Sequence, residues 1–356
     1  MKNKTKLVLN IIGIIVASLV LLYMVVAFIV SKVLLDDMFG RAEHDGELTT
    51  SYTADEITEL FGYNKEAVEF SSNGNALHGY IWGDDGCDKL VVMAHGIGSW
   101  QNNYYPIMLR FLTEGYRVMT YDCTGTDSSE GKGTTGLSQS HIDLHNALLF
   151  IENSATLKDL PVYLFGHSWG GHAVTAVLNY DHKNIKAVAS VAGYSSNGGI
   201  MLEWMKGTMG MGGFAYAVFP FAAICSVAEA GSAYNYTGVN GINGVDIPVL
   251  ALQGGKDDTV WTDSIYNHRE EITNEKFEYI FYEDATHNGI IHDSDDPDVV
   301  EYRKSVLDRY NALEEKHGGN IPYDEEKAFF NTIDKTKYNA INESTLDEIL
   351  NFFAKA

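Results

Sequence analysis

Ser168 lies in the motif Gly-His-Ser-Trp-Gly (residues 166–170), which follows an apolar run and precedes a helix-like segment. Glycines on both sides of a serine permit the sharp strand-to-helix turn that lifts its hydroxyl above a sheet. Such a hydroxyl attacks a carbonyl carbon when a neighbouring base removes its proton. The motif therefore predicts that Ser168 is a catalytic nucleophile.

Two later loops supply the base and the acid that a serine nucleophile needs. Asp257 follows one strand-like run, and His287 follows the next. Because reactive groups in parallel sheets sit at the carboxyl ends of the strands, we expect these side chains to meet at one edge. Asp258 is the other candidate for the acid. His292 is the rival base, and His287 is favoured because it alone directly follows a strand-like run.

The negatively charged oxygen that forms during the attack needs N–H donors. A glycine-flanked turn at residues 95–98 can present the backbone N–H of Ile97, and the N–H of Trp169 is the second expected donor. His95 is expected to support this turn. We expect His167 to point back into the sheet and His172 to be structural.

Metal and disulfide chemistry find little support in the sequence. Asp and His are frequent between residues 287 and 298, but no HExxH spacing occurs, which favours an exposed loop over a metal site. The three cysteines, Cys87, Cys123 and Cys225, form no CxxC pair and are too few for a disulfide scaffold. We expect neither a metal nor a cofactor.

The elements that must position these residues alternate along the chain. Strand-like runs cover residues 68–71, 77–82, 89–94, 117–121, 162–165, 185–191, 247–252 and 277–282. Stretches of helical period lie near residues 103–114, 139–153, 169–181 and 261–272. The first two runs flank Ser-Asn-Gly-Asn, which predicts a hairpin. The pattern predicts an α/β fold whose mostly parallel, eight-stranded sheet carries helices on both faces.

The N-terminal region predicts a membrane anchor. Residues 7–31 carry no charge, and as a helix they would be about 37 Å long, enough to cross a bilayer core. A cleaved signal peptide usually has a shorter apolar region. Lys2, Lys4 and Lys6 precede the stretch, so the positive-inside rule predicts a single-pass protein of the cell membrane with its main domain on the extracytoplasmic side.

Composition limits the remaining possibilities. With 356 residues, 45% of them apolar, the chain is large enough for a substantial core. The formal net charge of −23 argues against nucleic-acid partners. We predict a basic flank (1–6), a transmembrane helix (7–31), a tether (32–66) and one domain (67–356), with a cap insertion at about 195–245 and a C-terminal helical extension at about 298–356.

The predicted cap is rich in methionine, aromatic residues and glycine and has almost no charge. Such side chains adapt to irregular apolar ligands, so Met201, Trp204, Met205 and Phe214 are candidate substrate-binding residues. The alternatives are that they only pack the cap onto the domain, or that the stretch rests on the bilayer surface.

From about Val68 to His287 the chain resembles the α/β-hydrolases. It is most similar to the branch that holds serine aminopeptidases, monoacylglycerol lipases and related esterases. The motifs that carry this resemblance are the 95–98 turn, the stretch 121–131, the Ser168 elbow, Asp257 and His287. The resemblance implies a Ser-His-Asp triad, and the spacing after Gly254 favours Asp257 over Asp258.

The sequence departs from the family pattern at three places. Thr124 and Thr126 stand where the family usually has Arg and His, and Gln253 replaces a common His. These departures concern the subfamily more than the activity.

The expected function is a membrane-anchored serine hydrolase that cleaves esters of short or medium acyl chains, or aryl esters, through an acyl-enzyme. One alternative is an aminopeptidase-type enzyme of the same fold acting on short peptides. The other is a non-catalytic, membrane-tethered recognition domain.

Overall fold

The computed structural model describes residues 2–356, and one eight-stranded sheet forms its centre. The strands are β1 Lys65–Ser72, β2 Asn75–Trp82, β3 Leu90–Ala94, β4 Arg117–Tyr121, β5 Val162–His167, β6 Ile185–Val191, β7 Val249–Gly254 and β8 Phe277–Tyr282. Every strand lies where a strand-like run predicts one, because apolar β-branched runs bounded by turn residues are reliable strand signals.

The strand order is β1-β2-β4-β3-β5-β6-β7-β8. β2 pairs antiparallel with both β1 and β4, and the other five pairings are parallel. The β1–β2 hairpin turns at Asn73 and Gly74, whose φ angles of 49° and 85° suit a tight hairpin. The prediction of a mostly parallel sheet is confirmed. The carboxyl ends of β3, β5, β7 and β8 consequently face one edge.

Twelve α-helices accompany the sheet within the described residues. They are α1 Lys2–Met38, α2 Ala54–Phe61, α3 Tyr105–Thr113, α4 Gln139–Asn153, α5 Trp169–Ala176, α6 Asn197–Lys206, α7 Ala215–Ala230, α8 Gly238–Asn243, α9 Pro297–His317, α10 Tyr323–Phe330, α11 Lys335–Tyr338 and α12 Glu343–Ala354. The core has two layers, one on each face of the sheet. Leu144 of α4 and Val174 of α5 belong to one layer, whereas Phe111 of α3 and Phe353 of α12 stack in the other.

The prediction of a helix near residues 261–272 is wrong. The segment consists of turns and a short 3-10 helix at Arg269–Glu271. The reason is tertiary: the Glu203 carboxylate of α6 accepts the backbone N–H groups of residues 261–263 at 2.9–3.2 Å. These contacts hold the segment as a loop against the cap.

The N-terminal helix α1 includes the uncharged stretch 7–31 and continues to Met38. Most of its apolar side chains are exposed, and by length and composition it is a candidate for crossing a membrane. The residues after it pack on the domain. The Arg41 guanidinium donates to the carbonyl oxygens of Ser129 (2.8 Å) and Gly131 (3.1 Å), so the predicted tether is held against the domain at this point.

Candidate active site

Ser168 occupies a strained turn between β5 and α5. Its φ and ψ angles are 59° and −116°, a conformation that non-glycine residues rarely adopt. The Ser168 N–H donates to the carbonyl oxygen of Val191 at 2.8 Å, which ties the turn to the end of β6. This is the nucleophile-elbow geometry that the sequence motif predicts.

Gly170 permits the close approach of the elbow to β3. A Cβ atom on Gly170 would lie 1.9 Å from the carbonyl oxygen of Ala94, a distance that no backbone can accommodate without moving. We therefore expect Gly170→Ala to abolish folding or hydrolase activity, as measured by thermal unfolding and ester turnover. The matched change Gly86→Ala, where nothing lies within 4 Å, should leave both unchanged. A stable, active Gly170→Ala protein would contradict this packing.

Asp257 follows β7 and its carboxylate is surrounded by donors. Oδ1 accepts the backbone N–H groups of Thr259 and Val260, both at 2.9 Å. Oδ2 accepts the Gln253 amide at 3.0 Å and Nδ1 of His287 at 2.8 Å. Burial raises the Asp257 pKa, but the His287 hydrogen bond and charge and the backbone donors outweigh it, so the pKa lies below its usual value. The group is thus kept ionised.

His287 follows β8 and lines the same cavity as Ser168, which has a volume of about 370 Å³. Because its Nδ1 faces Asp257, its Nε2 is the nitrogen that can accept a proton from a nucleophile. The Ser168 hydroxyl makes no hydrogen bond to His287 within the described residues. Such contacts often tighten only when substrate binds.

The rival residues are placed differently. Asp258 is exposed, and its carboxylate accepts the hydroxyl of Thr259 at 3.3 Å. His292 lines the Ser168 cavity, but within residues 2–356 its ring pairs with no carboxylate. Burial, followed by the charge of Arg303, lowers the pKa of His292 to about 4, which makes it a poor base near neutral pH.

His167 lies in the Ser168 cavity, which corrects the expectation that it points back into the sheet. Its Nε2–H donates to the carbonyl oxygen of His287 at 3.2 Å, and its Nδ1 accepts from the Tyr104 hydroxyl at 3.1 Å. These roles require a neutral ring. Burial, reinforced by the charge of His287, lowers the His167 pKa to about 3.

Tyr104 is a site residue that the sequence analysis did not identify. Its hydroxyl accepts the Gly96 N–H at 2.9 Å while donating to His167, so it joins the 95–98 turn to the elbow. His95 supports the same turn, because its Nε2 accepts the Cys123 N–H at 2.9 Å and its Nδ1 donates to the Gly96 carbonyl at 2.8 Å. No local signal marks Tyr104, since only tertiary packing brings it here.

Tyr104→Phe removes the acceptor for a buried backbone N–H. An unsatisfied buried donor typically destabilises a protein by ~1–3 kcal/mol, so we expect a lower unfolding temperature. We also expect reduced kcat, because Gly96 precedes the proposed oxyanion donor Ile97. Thermal unfolding and steady-state kinetics on one ester would check both effects. Unchanged stability and kcat would contradict the role given to this hydroxyl.

The two expected oxyanion donors are near Ser168. Ile97 lines the cavity with Ser168, and a Cβ on the preceding Gly96 would lie 3.6 Å from the Ser168 Cβ. Trp169 is the first residue of α5, where N–H groups have no partner within the helix. Its indole is buried and donates to the carbonyl oxygen of Leu137 at 2.7 Å, which fixes the start of α5.

The four candidate substrate-binding residues of the cap do not line the Ser168 cavity. Met201 and Met205 are buried against the end of α1, and Phe214 is 63% exposed. Trp204 contacts a residue of the cavity wall, because its Nε1 donates to the carbonyl oxygen of Thr259 (3.0 Å), and Thr259 lines the cavity. The composition of the cap could not predict whether these side chains contact the active-site cavity or α1.

Acidic side chains near the site are engaged by the backbone. The Asp293 carboxylate accepts two backbone N–H groups at 3.0 Å, and Asp296 caps the start of α9. Within the described residues, no cluster of three His, Cys, Asp or Glu side chains is arranged to hold a metal ion. All three cysteines are free thiols.

Comparison with known proteins identifies sequences similar to part of this chain. A family model described as serine aminopeptidase, S33, matches residues 86–220, which include Ser168 and the 95–98 turn but neither Asp257 nor His287. Monoglyceride lipase of Saccharomyces cerevisiae is 25% identical over 150 residues. That match spans 38% of this chain and 44% of the yeast protein.

Solved structures share the fold. An esterase from Pyrococcus furiosus superimposes with a TM-score of 0.53 at 22% identity, covering 70% of this chain and 90% of that chain. The 2,6-dihydroxy-pseudo-oxynicotine hydrolase superimposes with a TM-score of 0.50 at 15% identity, covering 65% of each chain. At these identities the likeness shows a common fold.

Proposed function

We propose that this chain, an α/β-hydrolase, is a membrane-anchored serine hydrolase that cleaves carboxylic esters. One observation carries the proposal: Ser168, on its strained elbow, shares a cavity with His287, whose Nδ1 is 2.8 Å from the buried Asp257 carboxylate. A strained nucleophile beside an oriented imidazole is the arrangement that acyl transfer requires.

In the proposed mechanism, His287 Nε2 takes the proton from Ser168 as its oxygen bonds to the ester carbonyl carbon. The carbonyl oxygen becomes an oxyanion that accepts the N–H groups of Ile97 and Trp169. Asp257 keeps the ring in the tautomer with hydrogen on Nδ1 and stabilises the imidazolium. The imidazolium then protonates the leaving alkoxide as the C–O bond breaks. Water, deprotonated by His287, attacks the acyl-enzyme, and the imidazolium returns the proton to the Ser168 oxygen as the acyl C–O bond breaks and the acid is released.

Ester hydrolysis is favoured over the alternatives by two observations. The yeast relative is named a lipase, and a solved structure of the same fold is named an esterase. The complete set of nucleophile, base and acid also argues against a recognition domain without catalysis, because such a domain has no need of it.

A peptidase remains the second candidate, because the matching family model is described as a serine aminopeptidase. Activity on p-nitrophenyl esters and on aminoacyl nitroanilides, measured side by side with the full chain, separates the two. We expect ester turnover to exceed anilide turnover. A higher kcat/KM for an aminoacyl nitroanilide would favour the peptidase, and turnover of neither would contradict hydrolase activity on both substrate classes.

The proposed location is the cell membrane, with α1 as a single span and the sheet domain outside the cytoplasm. The exposed apolar surface of α1 supports the span, and the lysines that precede its uncharged stretch support this orientation. Protease accessibility of the domain in intact cells would test the side. Digestion only after the cells are opened would contradict it.

A further inference from the structure

The cap helix α7 packs along the end of α1. The Tyr23 hydroxyl donates to the carbonyl oxygen of Ala217, and the Tyr23 ring meets Phe221 edge to face at 5.8 Å between centroids. Ala27 and Ser31 of α1 are buried, although most of α1 is exposed. The two helices therefore pack side by side, and they are called the α1–α7 pair below.

The register of the α1–α7 pair places α7 beside the uncharged stretch. Tyr23 lies eight residues before the end of that stretch at Ser31, which corresponds to about 12 Å along a helix. Lys32, the first charge after it, contacts Glu229 at 3.4 Å, and Glu229 is the only charged residue of α7. Lys32 and Glu229 therefore mark the same level of the two helices. The apolar part of α7 that precedes Glu229 lies beside the apolar part of α1 that precedes Lys32.

The face of α7 turned away from α1 is also apolar. Tyr216, Ile224 and Val227 are exposed, with Ile224 at 56%, and Phe214 just before the helix is 63% exposed. Exposed apolar residues that extend a candidate membrane-spanning surface are typical of contact with lipid. The segment Gly212–Asn243, which comprises α7, α8 and the turns beside them, contains a stretch as apolar as a membrane helix.

A cleft lies between the C-terminal end of α1 and the active site. Met38 and Met209 line both the small cavity between α1, α6 and α7 and a larger cleft of about 410 Å³. Trp204 and Thr259 also line this cleft, and Thr259 in turn lines the Ser168 cavity. The cleft thus shares Met38 and Met209 with the cavity beside α1 and Thr259 with the Ser168 cavity, and the exposed Asp258 also lines it.

We propose that α7 lies in the outer leaflet beside α1, and that the acyl chain of a membrane-resident lipid ester reaches Ser168 through the cleft lined by Met38, Trp204 and Met209. The immersion of α7 requires only that α1 is inserted, whereas the acyl route also rests on the proposed ester hydrolysis. No basic residue lies on α7, so apolar burial drives the immersion, and the immersion should be insensitive to salt.

Fluorescence quenching by lipid tests the immersion. The full chain carrying Cys87→Ser, which removes the more exposed native thiol, is given Ile224→Cys, labelled with NBD and reconstituted in phosphatidylcholine vesicles containing doxyl-labelled lipid. We expect strong quenching at position 224. Leu21→Cys on α1 serves as the inserted control, and Val300→Cys on α9, also exposed, serves as the aqueous control.

The three positions distinguish the possible failures. Quenching at 21 but not at 224 would overturn the immersion of α7 while leaving the anchor intact. Quenching at neither position would show that α1 is not inserted. Turnover of the water-soluble p-nitrophenyl acetate by each labelled protein reports that the domain is folded, independently of the membrane.

Narrowing the cleft tests the acyl route. Met38→Trp should lower kcat/KM for vesicle-embedded p-nitrophenyl palmitate by about tenfold while p-nitrophenyl acetate is unaffected. Met38→Leu, which keeps the volume, should leave both esters unchanged. Equal losses on both esters, or no loss on palmitate, would overturn the route. Failure of the wild-type protein to cleave either ester would instead contradict the proposed function.

Discussion

Ser168→Ala is expected to lower kcat/KM for a p-nitrophenyl ester by about 10⁴-fold or more, because it removes the hydroxyl of the proposed nucleophile. The Ser168 N–H is hydrogen-bonded to the Val191 carbonyl oxygen, and Gly170 packs on β3. Because neither contact involves the Ser168 hydroxyl, alanine at position 168 should leave the surrounding structure in place. Covalent labelling by a fluorophosphonate probe should be lost with the hydroxyl.

The control for this experiment is Ser71→Ala, an exposed serine on the edge strand β1, which should keep both turnover and labelling. Thermal unfolding of both variants separates loss of chemistry from loss of fold. Ester turnover that survives Ser168→Ala in a folded protein would reject the mechanism, since the nucleophile would have to lie elsewhere.

Asp257→Asn should lower kcat by roughly 10⁴-fold with a smaller effect on KM. An amide in place of the carboxylate cannot stabilise the imidazolium, and its NH₂ group would favour the wrong His287 tautomer. The same change also disturbs the hydrogen bonds from the Thr259 and Val260 N–H groups, because both donate to the Asp257 carboxylate. Unfolding temperature must therefore be measured beside steady-state kinetics.

Asp258→Asn is the matched control, because it makes the same chemical change one residue along the chain. Its side chain is exposed and makes no contact with His287, so the effect on kcat should stay within about twofold. A large loss of kcat in Asp258→Asn, combined with a small loss in Asp257→Asn, would indicate that Asp258 and not Asp257 is the acid of the triad. Equal losses in both would indicate that the loop, rather than one carboxylate, is required.

The sheet could be predicted from the sequence because its signal is local. Most strands contain a short apolar run, and the central parallel strands β3, β5 and β7 are buried along their whole length, which requires side chains that are apolar on both faces. The same is true of the elbow, since the glycines around Ser168 are needed wherever a chain makes this turn. By contrast, the segment 261–272 has a helical period but forms turns, because Glu203 from the cap binds its N–H groups.

The surroundings of the proposed triad could not be predicted in the same way. Tyr104 and His167 are 63 positions apart, and nothing near either residue indicates that they are hydrogen-bonded. Similarly, the apolar composition of the cap shows that it must be covered by something apolar, but it cannot tell substrate from protein or lipid. In the structure, Met201 and Met205 are covered by α1.

The sequence by itself determined the order of the strands along the chain, the elbow at Ser168 and the presence of an apolar N-terminal helix, because each depends on residues adjacent in the chain. Only the tertiary structure decided which acid meets His287, that His167 and Tyr104 support the site, and that the cap packs against α1. Those features depend on contacts between distant segments, and such contacts are set by how the layers pack rather than by any local pattern.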